Sequence, residues 1–365
     1  MTTRPDPARR SPWLLPAQLA TAAGLCLGLY LLTRSEIVWV ISGVLAGAIV
    51  SLGYRRAGRL QAPNPKVRKT GQVLIGLSLG PAVAAQDMTG LVEHLPLLLG
   101  AVVITLVTSV MLGTGYSRLF RVDRLTAGLS TLPGGIGVMA SVAAERGRPA
   151  PFVALVQGAR VAAVVSIVPI LITVAESGPS SLLEPLLLRE GVMWLIYSAL
   201  LVGAVLASGL ATRLRVPVAS LLGPLIFGII VAVALPLVSD GALSLELPYL
   251  HIVVAQVLLG ITVGEYLAQP VAVTRSMLGG ALLGVAGTLA VALGLAVLLT
   301  WVTPWSLVTC ILMMAPGGAP EMIALAAGTD AQIHLVVFSQ LARQLAVNLL
   351  MPLWLCIFDR RGSSA

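Results

Sequence analysis

Ala315-Pro316-Gly317-Gly318-Ala319-Pro320-Glu321-Met322 lies in the middle of an apolar run from Trp305 to Ala327. Proline removes a backbone donor and clashes with the preceding turn, and glycine adds backbone freedom, so a helix through this run is interrupted at Pro316. The same signature stands at Pro133-Gly134-Gly135, inside the run Leu125 to Ala144. The copies are 183 residues apart, and that offset also relates Met139 to Met322, Gln157 to Gln340, Arg160 to Arg343 and Pro169 to Pro352. From Pro133 to Pro169, 13 of 37 positions match without a gap, where chance gives roughly a tenth. Upstream, Gln72-Val73-Leu74-Ile75-Gly76 matches Gln256-Val257-Leu258-Leu259-Gly260 at an offset of 184, as Gly80 matches Gly264. The chain is a duplicated unit.

The surroundings of these motifs set the class. The 365 residues have a mean hydropathy of +0.96, 57% hydrophobic residues and 10% charged ones. A soluble domain carries about 25% charge, so a soluble enzyme, a disordered regulator and a disulfide scaffold are excluded. An outer-membrane barrel would alternate apolar and polar residues in strands of about ten, which this chain does not. A polytopic all-α membrane protein remains. Twelve apolar segments follow one another: Trp13–Thr33, Ile37–Gly53, Gly71–Ala85, His94–Gly115, Leu125–Ala144, Phe152–Ala175, Gly191–Leu210, Val216–Val238, His251–Gln269, Met277–Trp301, Trp305–Ala327 and Gln332–Phe358. The first reads as a retained span rather than a signal peptide. The third rises only about 23 Å as a helix, against a hydrocarbon core of about 30 Å. No soluble domain is expected, and the repeats divide as 1–180 and 181–365.

Charge orients the spans. The net charge of +8 is spread between apolar runs, where it sets topology instead of marking a nucleic-acid site. Basic loops follow segment two (Arg55, Arg56, Arg59, Lys66, Arg68, Lys69), segment four (Arg118, Arg121, Arg124) and segment seven (Arg213, Arg215). Acidic loops follow segment three (Asp87, Glu93), segment six (Glu176, Glu184, Glu190) and segment eight (Asp240, Glu246). If segments five and eleven each enter and leave on one side, every strongly charged loop obeys the positive-inside rule. Each half then crosses five times and the halves are inverted, with both termini cytoplasmic.

The candidate site is built on the interruptions. Inside hydrocarbon every backbone N–H and C=O needs a partner, and irregular backbone is tolerated only against protein or a water-filled cavity. Helix N-termini attract anions, while C-termini and bare carbonyls attract cations. Pro133, Gly134, Gly135, Pro316, Gly317 and Gly318 therefore mark a midplane binding site, unless the kinks serve packing alone. Arg160 and Arg343 lie near the middle of their segments, each three residues after a glutamine, Gln157 and Gln340, on the same helix face. These arginines can hold a carboxylate, pair with a buried acid, or tie down carbonyls freed by the break. The acids are unequal. Glu321 and Asp330 have Val138 and Gly147 as counterparts, and Glu265 replaces Pro81. Glu321 could carry protons or a cation, or pair with Arg343; Asp330 could do the same, or cap the helix that starts near Gln332. Gly76/Gly80 and Gly260/Gly264 are small-xxx-small faces suited to close helix packing. Cys26, Cys310 and Cys356 read as small apolar side chains, and His94, His251 and His334 lack ligand spacing. Neither an enzyme nor a metal or other cofactor is expected.

At Ala315–Met322, Gly328-Thr329-Asp330 and Gln340-Leu341-Ala342-Arg343 the sequence closely resembles the AbrB family of bacterial inner-membrane proteins, also labelled AbrB duplication and, in older usage, ammonia monooxygenase. The resemblance covers nearly the whole chain and departs at Val138 and Gly147, where acids are usual. It implies an integral protein of the bacterial inner membrane; some members are named as regulators of gene expression. The name is shared with a soluble DNA-binding regulator, but no DNA-reading element is visible. The inverted plan is also similar to that of bile-acid symporters and sodium/proton antiporters. The leading expectation is a secondary transporter of a small solute, an organic anion being one candidate, coupled to protons or a cation. A membrane-embedded regulator without transport is the alternative. A membrane oxygenase subunit comes third, because the clustered ligands it needs are missing. Lipid and the unidentified solute or ion are the expected partners, with no nucleic acid; a homo-oligomer is compatible with the sequence.

Overall fold

A computed structural model of the chain describes residues 11–33, 38–59, 61–86, 89–175, 191–238, 247–270, 274–327 and 329–359. These form sixteen helices, with no strand among the described residues. They are α1 Leu14–Thr33, α2 Val38–Arg56, α3 Pro65–Ala84, α4 Thr89–Glu93, α5 Leu95–Phe120, α6 Arg124–Thr131, α7 Ile136–Glu145, α8 Ala150–Ala175, α9 Gly191–Arg213, α10 Ala219–Val238, α11 Tyr249–Leu267, α12 Arg275–Val302, α13 Leu307–Met314, α14 Ala319–Ala326, α15 Ile333–Leu349 and α16 Met351–Asp359. Eight are long and apolar enough to cross a membrane; α15 and α16, bent by 59° from each other, are either a ninth, broken span or a re-entrant pair. The protein is an all-α, multi-pass membrane protein. The acidic residues Asp87, Glu176, Glu184, Glu190, Asp240 and Glu246, and the repeat boundary at 180/181, lie outside the described residues.

Two elements differ from the sequence expectation. The third apolar segment is the later part of a longer helix: α3 starts at Pro65, six residues before Gly71, and its 20 residues rise about 30 Å, although it is not one of those eight helices. Its first turn is basic (Lys66, Arg68, Lys69), so an apolar window misses it. Asn64 caps it by accepting from Lys66 N at 3.1 Å, and Pro65 occupies the first helical position, where no intrahelical N–H bond is lost. The twelfth segment is not one rod. It divides at Leu350 into α15 and α16, because Pro352 supplies no N–H and its ring crowds the carbonyl four residues back.

The chain forms two compact units: one of Met1–Met88, Glu176–Ala268 and Ile323–His334, the other of Thr89–Ala175, Gln269–Met322 and Leu335–Ala365. Each takes helices from both repeats. In the first unit, glycines let backbones touch. A methyl on Gly43 would sit 2.5 Å from Val257 O, and one on Gly264 would collide with the backbone of Val44 and Ala48. One on Gly76 would sit 2.5 Å from Leu221 O, and one on Gly80 would strike the backbone of Gly228. The small-residue faces are thus packing seams, α11 along α2 and α3 along α10. Both pairs run parallel, because contact positions rise together along the two sequences. By contrast α3 and α11, equivalent helices of the two repeats, run antiparallel. Asn64 N at the start of α3 donates to Glu265 Oε2 near the end of α11 at 2.7 Å, and Gly71 faces Ala255 O.

The second unit shows the same relation. Equivalent helices α5 and α12 pack antiparallel, Leu112 against Gly287, Tyr116 against Gly280 and Phe120 against Gly279. Its core joins Leu125, Leu129 and Leu132 of the first repeat to Val347, Trp354 and Phe358 of the second.

Adding a methyl where backbones touch should cost about 1–3 kcal/mol. Gly264→Ala is expected to lower the unfolding temperature in detergent. Gly24→Ala, where nothing lies within 4 Å, should leave it unchanged; equal shifts would contradict the seam.

Candidate functional site: two clamped helix breaks

The site grows from α6 and α13, two helices of eight residues each. Both start with a side-chain cap at equivalent positions. Asp123 accepts from Thr126 N at 2.9 Å, and Ser306 accepts from Thr309 N at 3.2 Å. Both end for one reason: the residue before a proline is driven from helical to extended backbone. Leu132 and Ala315 accordingly have ψ of 133° and 125°. The last carbonyls of each helix are then left without intrahelical donors.

The same pair of side chains takes up those carbonyls in both copies. On α8, Gln157 Nε2 donates to Leu129 O and Leu132 O, each at 2.7 Å. Arg160 Nη1 donates to Thr131 O at 3.0 Å, and its Nη2 to Gln157 Oε1 at 2.6 Å. On α15, Gln340 Nε2 donates to Leu312 O at 2.7 Å and Ala315 O at 3.3 Å. Arg343 donates to Met314 O at 3.1 Å, to Ala315 O at 2.8 Å and to Gln340 Oε1. Leu129, Thr131 and Leu132 correspond to Leu312, Met314 and Ala315 at the 183-residue offset, so the clamp is duplicated bond for bond. Of the three roles open to the arginines, the structure displays the tie on freed carbonyls.

Magnitudes explain why an arginine serves. Placing one in mid-membrane costs about 2.5–3.5 kcal/mol on insertion scales, and an orphan carbonyl in hydrocarbon costs several more. A hydrogen bond from a charged donor contributes about 1.5–3 kcal/mol, so two or three of them offset the insertion cost. Arg160 is 2% exposed and Arg343 3%.

The two breaks also hold each other's repeats. A methyl on Gly134 would sit 2.7 Å from Val347 of α15, and one on Gly317 would sit 3.1 Å from Val164 of α8; Val164 and Val347 are themselves equivalent. Gln344, next to Arg343, donates to Gly134 O at 2.8 Å. The sequence did not point to Gln344, because its counterpart is Val161 and no periodic signal marks it. The third position of the motif differs between copies. Gly135 has φ of +88°, a conformation that suits glycine. Gly318 has no positive φ; instead the Glu321 carboxylate lies where its side chain would be. Glu321 is fully buried in the first turn of α14, where a negative charge suits the helix N-terminus. Its counterpart Val138 on α7 is 43% exposed.

The remaining acids separate from this site. Arg343 gives its terminal nitrogens to carbonyls and Gln340, not to Glu321. Asp330 is exposed, and Thr329 Oγ1 rather than Asp330 accepts from Ala331 N, at 3.4 Å; the capping role expected of Asp330 is not seen among the described residues. Glu265, buried in the first unit, accepts from Gln18 Nε2 at 3.1 Å and from Asn64 N, tying α1 and α3 to α11. His251 bridges Tyr197 OH at 2.8 Å and Leu74 O at 2.6 Å.

Removing a clamp arginine should strand one carbonyl, Thr131 O or Met314 O, and the side-chain oxygen of its glutamine, at about 1–3 kcal/mol each. Unfolding temperature is expected to fall in the order wild type, Arg343→Lys, Arg343→Leu, with Arg160→Leu matching Arg343→Leu. A wild-type unfolding temperature in both leucine variants would contradict the clamp.

These features coincide with what comparison shows. The family described as "Transition state regulatory protein AbrB" matches residues 39–359. "Uncharacterized protein YhjN" of Bacillus subtilis (strain 168) is 28% identical over 357 residues, covering 92% of this chain and 90% of that protein. The protein named "Putative regulator AbrB" of Escherichia coli (strain K12) is 25% identical over 322 residues, covering 86% of this chain and 87% of its own. With the doubled Pro-Gly-Gly breaks falling inside the matched span, the chain belongs to the AbrB family.

Proposed function

We propose that this chain is a secondary transporter of a small solute, with its site at the two clamped breaks. The observation that carries the reading is the duplicated clamp. An unbroken helix would pair every carbonyl internally, without a buried guanidinium. This chain interrupts two helices in hydrocarbon and commits two arginines and two glutamines to holding the cut ends. Such breaks at corresponding positions of two repeats point to a midplane binding site. Glu321, buried beside Gly318, supplies a charge that can change on protonation. The α7 N-terminus, with no acid of its own, offers N–H groups to an anion.

An inverted arrangement accompanies this reading. It is supported by the antiparallel runs of α3 with α11 and of α5 with α12, each pair being one element in two copies. The basic loops Arg55–Arg59 and Arg118–Arg124 then face the cytoplasm, as do both termini, in a bacterial inner membrane. The regulatory name of the family, shared by its Escherichia coli relative, favours a second reading, a membrane-embedded regulator that moves no solute.

The test is flux in proteoliposomes across a panel of small carboxylates and neutral solutes, under proton and sodium gradients. At least one gradient-driven solute is expected, with Glu321→Gln reducing the rate tenfold or more while the protein stays folded. No flux of any solute under either gradient would sink the transporter reading and favour the regulator.

A further inference from the structure

The two half-helices that follow the breaks end differently. α7 ends at Glu145 and runs into Arg146-Gly147-Arg148, so cationic side chains stand at its C-terminus. A helix C-terminus carries roughly half a negative charge, which such residues offset. At the end of α14 the equivalents of Arg146, Gly147 and Arg148 are Thr329, Asp330 and Ala331. From Ala319 to Ala342 the chain has no Lys or Arg, and His334 is its one basic side chain. The second copy therefore lacks both cations at this helix end, and its one carboxylate stands at Asp330 instead of at the position of Glu145, where it has Gly328.

A second observation lies in the same place, within the first unit. Gln256 of α11 is 3% exposed, and its Nε2 donates to Ala324 O in the last turn of α14 at 2.8 Å. Its Oε1, the other arm of the same amide, is buried with no hydrogen-bond partner. The amide cannot be turned over to cure this, because Oε1 would then meet the Ala324 carbonyl, acceptor against acceptor. Thr329 does not supply the missing donor: its hydroxyl donates to Ala326 O at 3.2 Å. A fixed buried acceptor therefore sits against the last turn of α14, at a negative helix end followed in the chain by Asp330.

We propose that the C-terminal end of α14 binds a small monovalent cation, with Gln256 Oε1 and the carbonyls that end α14 as neutral oxygen ligands and Asp330 as the charge at its mouth. One carboxylate among neutral oxygens is too little for calcium, which takes six to eight oxygens with several carboxylates. It suits an alkali ion, as half-helix C-termini do elsewhere. The site rests on the transporter reading for its purpose, supplying a coupling ion, but on α11 and α14 alone for its existence.

The test is thermal unfolding of the full chain in detergent at constant ionic strength, with N-methyl-glucamine chloride replaced stepwise by LiCl, NaCl or KCl. Wild type is expected to show a saturable rise in unfolding temperature with one alkali ion. Gln256→Leu should abolish the rise, Asp330→Asn should raise its half-saturation at least fivefold, and Gln256→Glu should lower it. Glu321→Gln should keep it. If Gln256→Leu does not fold, the Asp330→Asn and Gln256→Glu shifts decide. Identical unfolding in all four salts, which is also the result of a bound water, would overturn the site. So would a rise that survives Gln256→Leu or vanishes only in Glu321→Gln. Binding without cation-driven flux would leave the site standing and remove sodium coupling; flux without binding would remove the site alone.

Discussion

A carbonyl with no donor inside hydrocarbon is the constraint from which this structure follows. Pro133 and Pro316 end α6 and α13 part way along an apolar run, and each ending exposes carbonyls that neither water nor lipid can pair. The Gln-x-x-Arg pair is the local solution. Glutamine contributes two donors from one nitrogen, and its oxygen accepts from the arginine that completes the clamp. The guanidinium is suited to this because its donors are forked and its charge does not depend on pH. A lysine would bring a point charge without the fork. Once the ends are held, Gly134 and Gly317 can approach the opposite repeat at Val347 and Val164, and Gln344 can fasten Gly134 to α15.

The first unit meets the same solvent by other means. Lipid offers no hydrophobic drive for helix association, so close packing carries it. Gly43, Gly47, Gly260 and Gly264 bring α2 and α11 into backbone contact, and Gly76, Gly80 and Gly228 do so for α3 and α10. Each seam joins one repeat to the other, so duplication is built into the packing and not only into the sequence. Glu265 replaces the Pro81 of the first copy, and its carboxylate takes the Asn64 N–H and the Gln18 amide. The second copy thus carries a polar hub where the first has a proline within its helix.

Legibility in the sequence followed the range of the interaction. The duplication, the broken runs and the face shared by Gln157 and Arg160 are local patterns, and they were readable because offset and helical periodicity are arithmetic. The carbonyl tie was one of three roles the residues allowed; choosing it needed the distance from α8 back to α6. Gln344 on Gly134 and Gln256 on Ala324 were invisible, since an isolated glutamine in an apolar run does not name its partner. The start of α3 was missed because Lys66, Arg68 and Lys69 look like a loop until Asn64 and Pro65 are read as a cap and a first turn.

If a solute passes these breaks, water must reach the start of α7 beside the first of them, where Val138 is exposed, although protein closes over the breaks themselves. Single cysteines placed at Val138 and, as a control on the apolar helix α9, at Leu206 can be tested with a membrane-impermeant thiol reagent in a background without the native cysteines. Both positions are exposed on the protein, at 43% and 68%. The account predicts rapid labelling at position 138 and none at 206. Labelling at neither position, or at both alike, would contradict it.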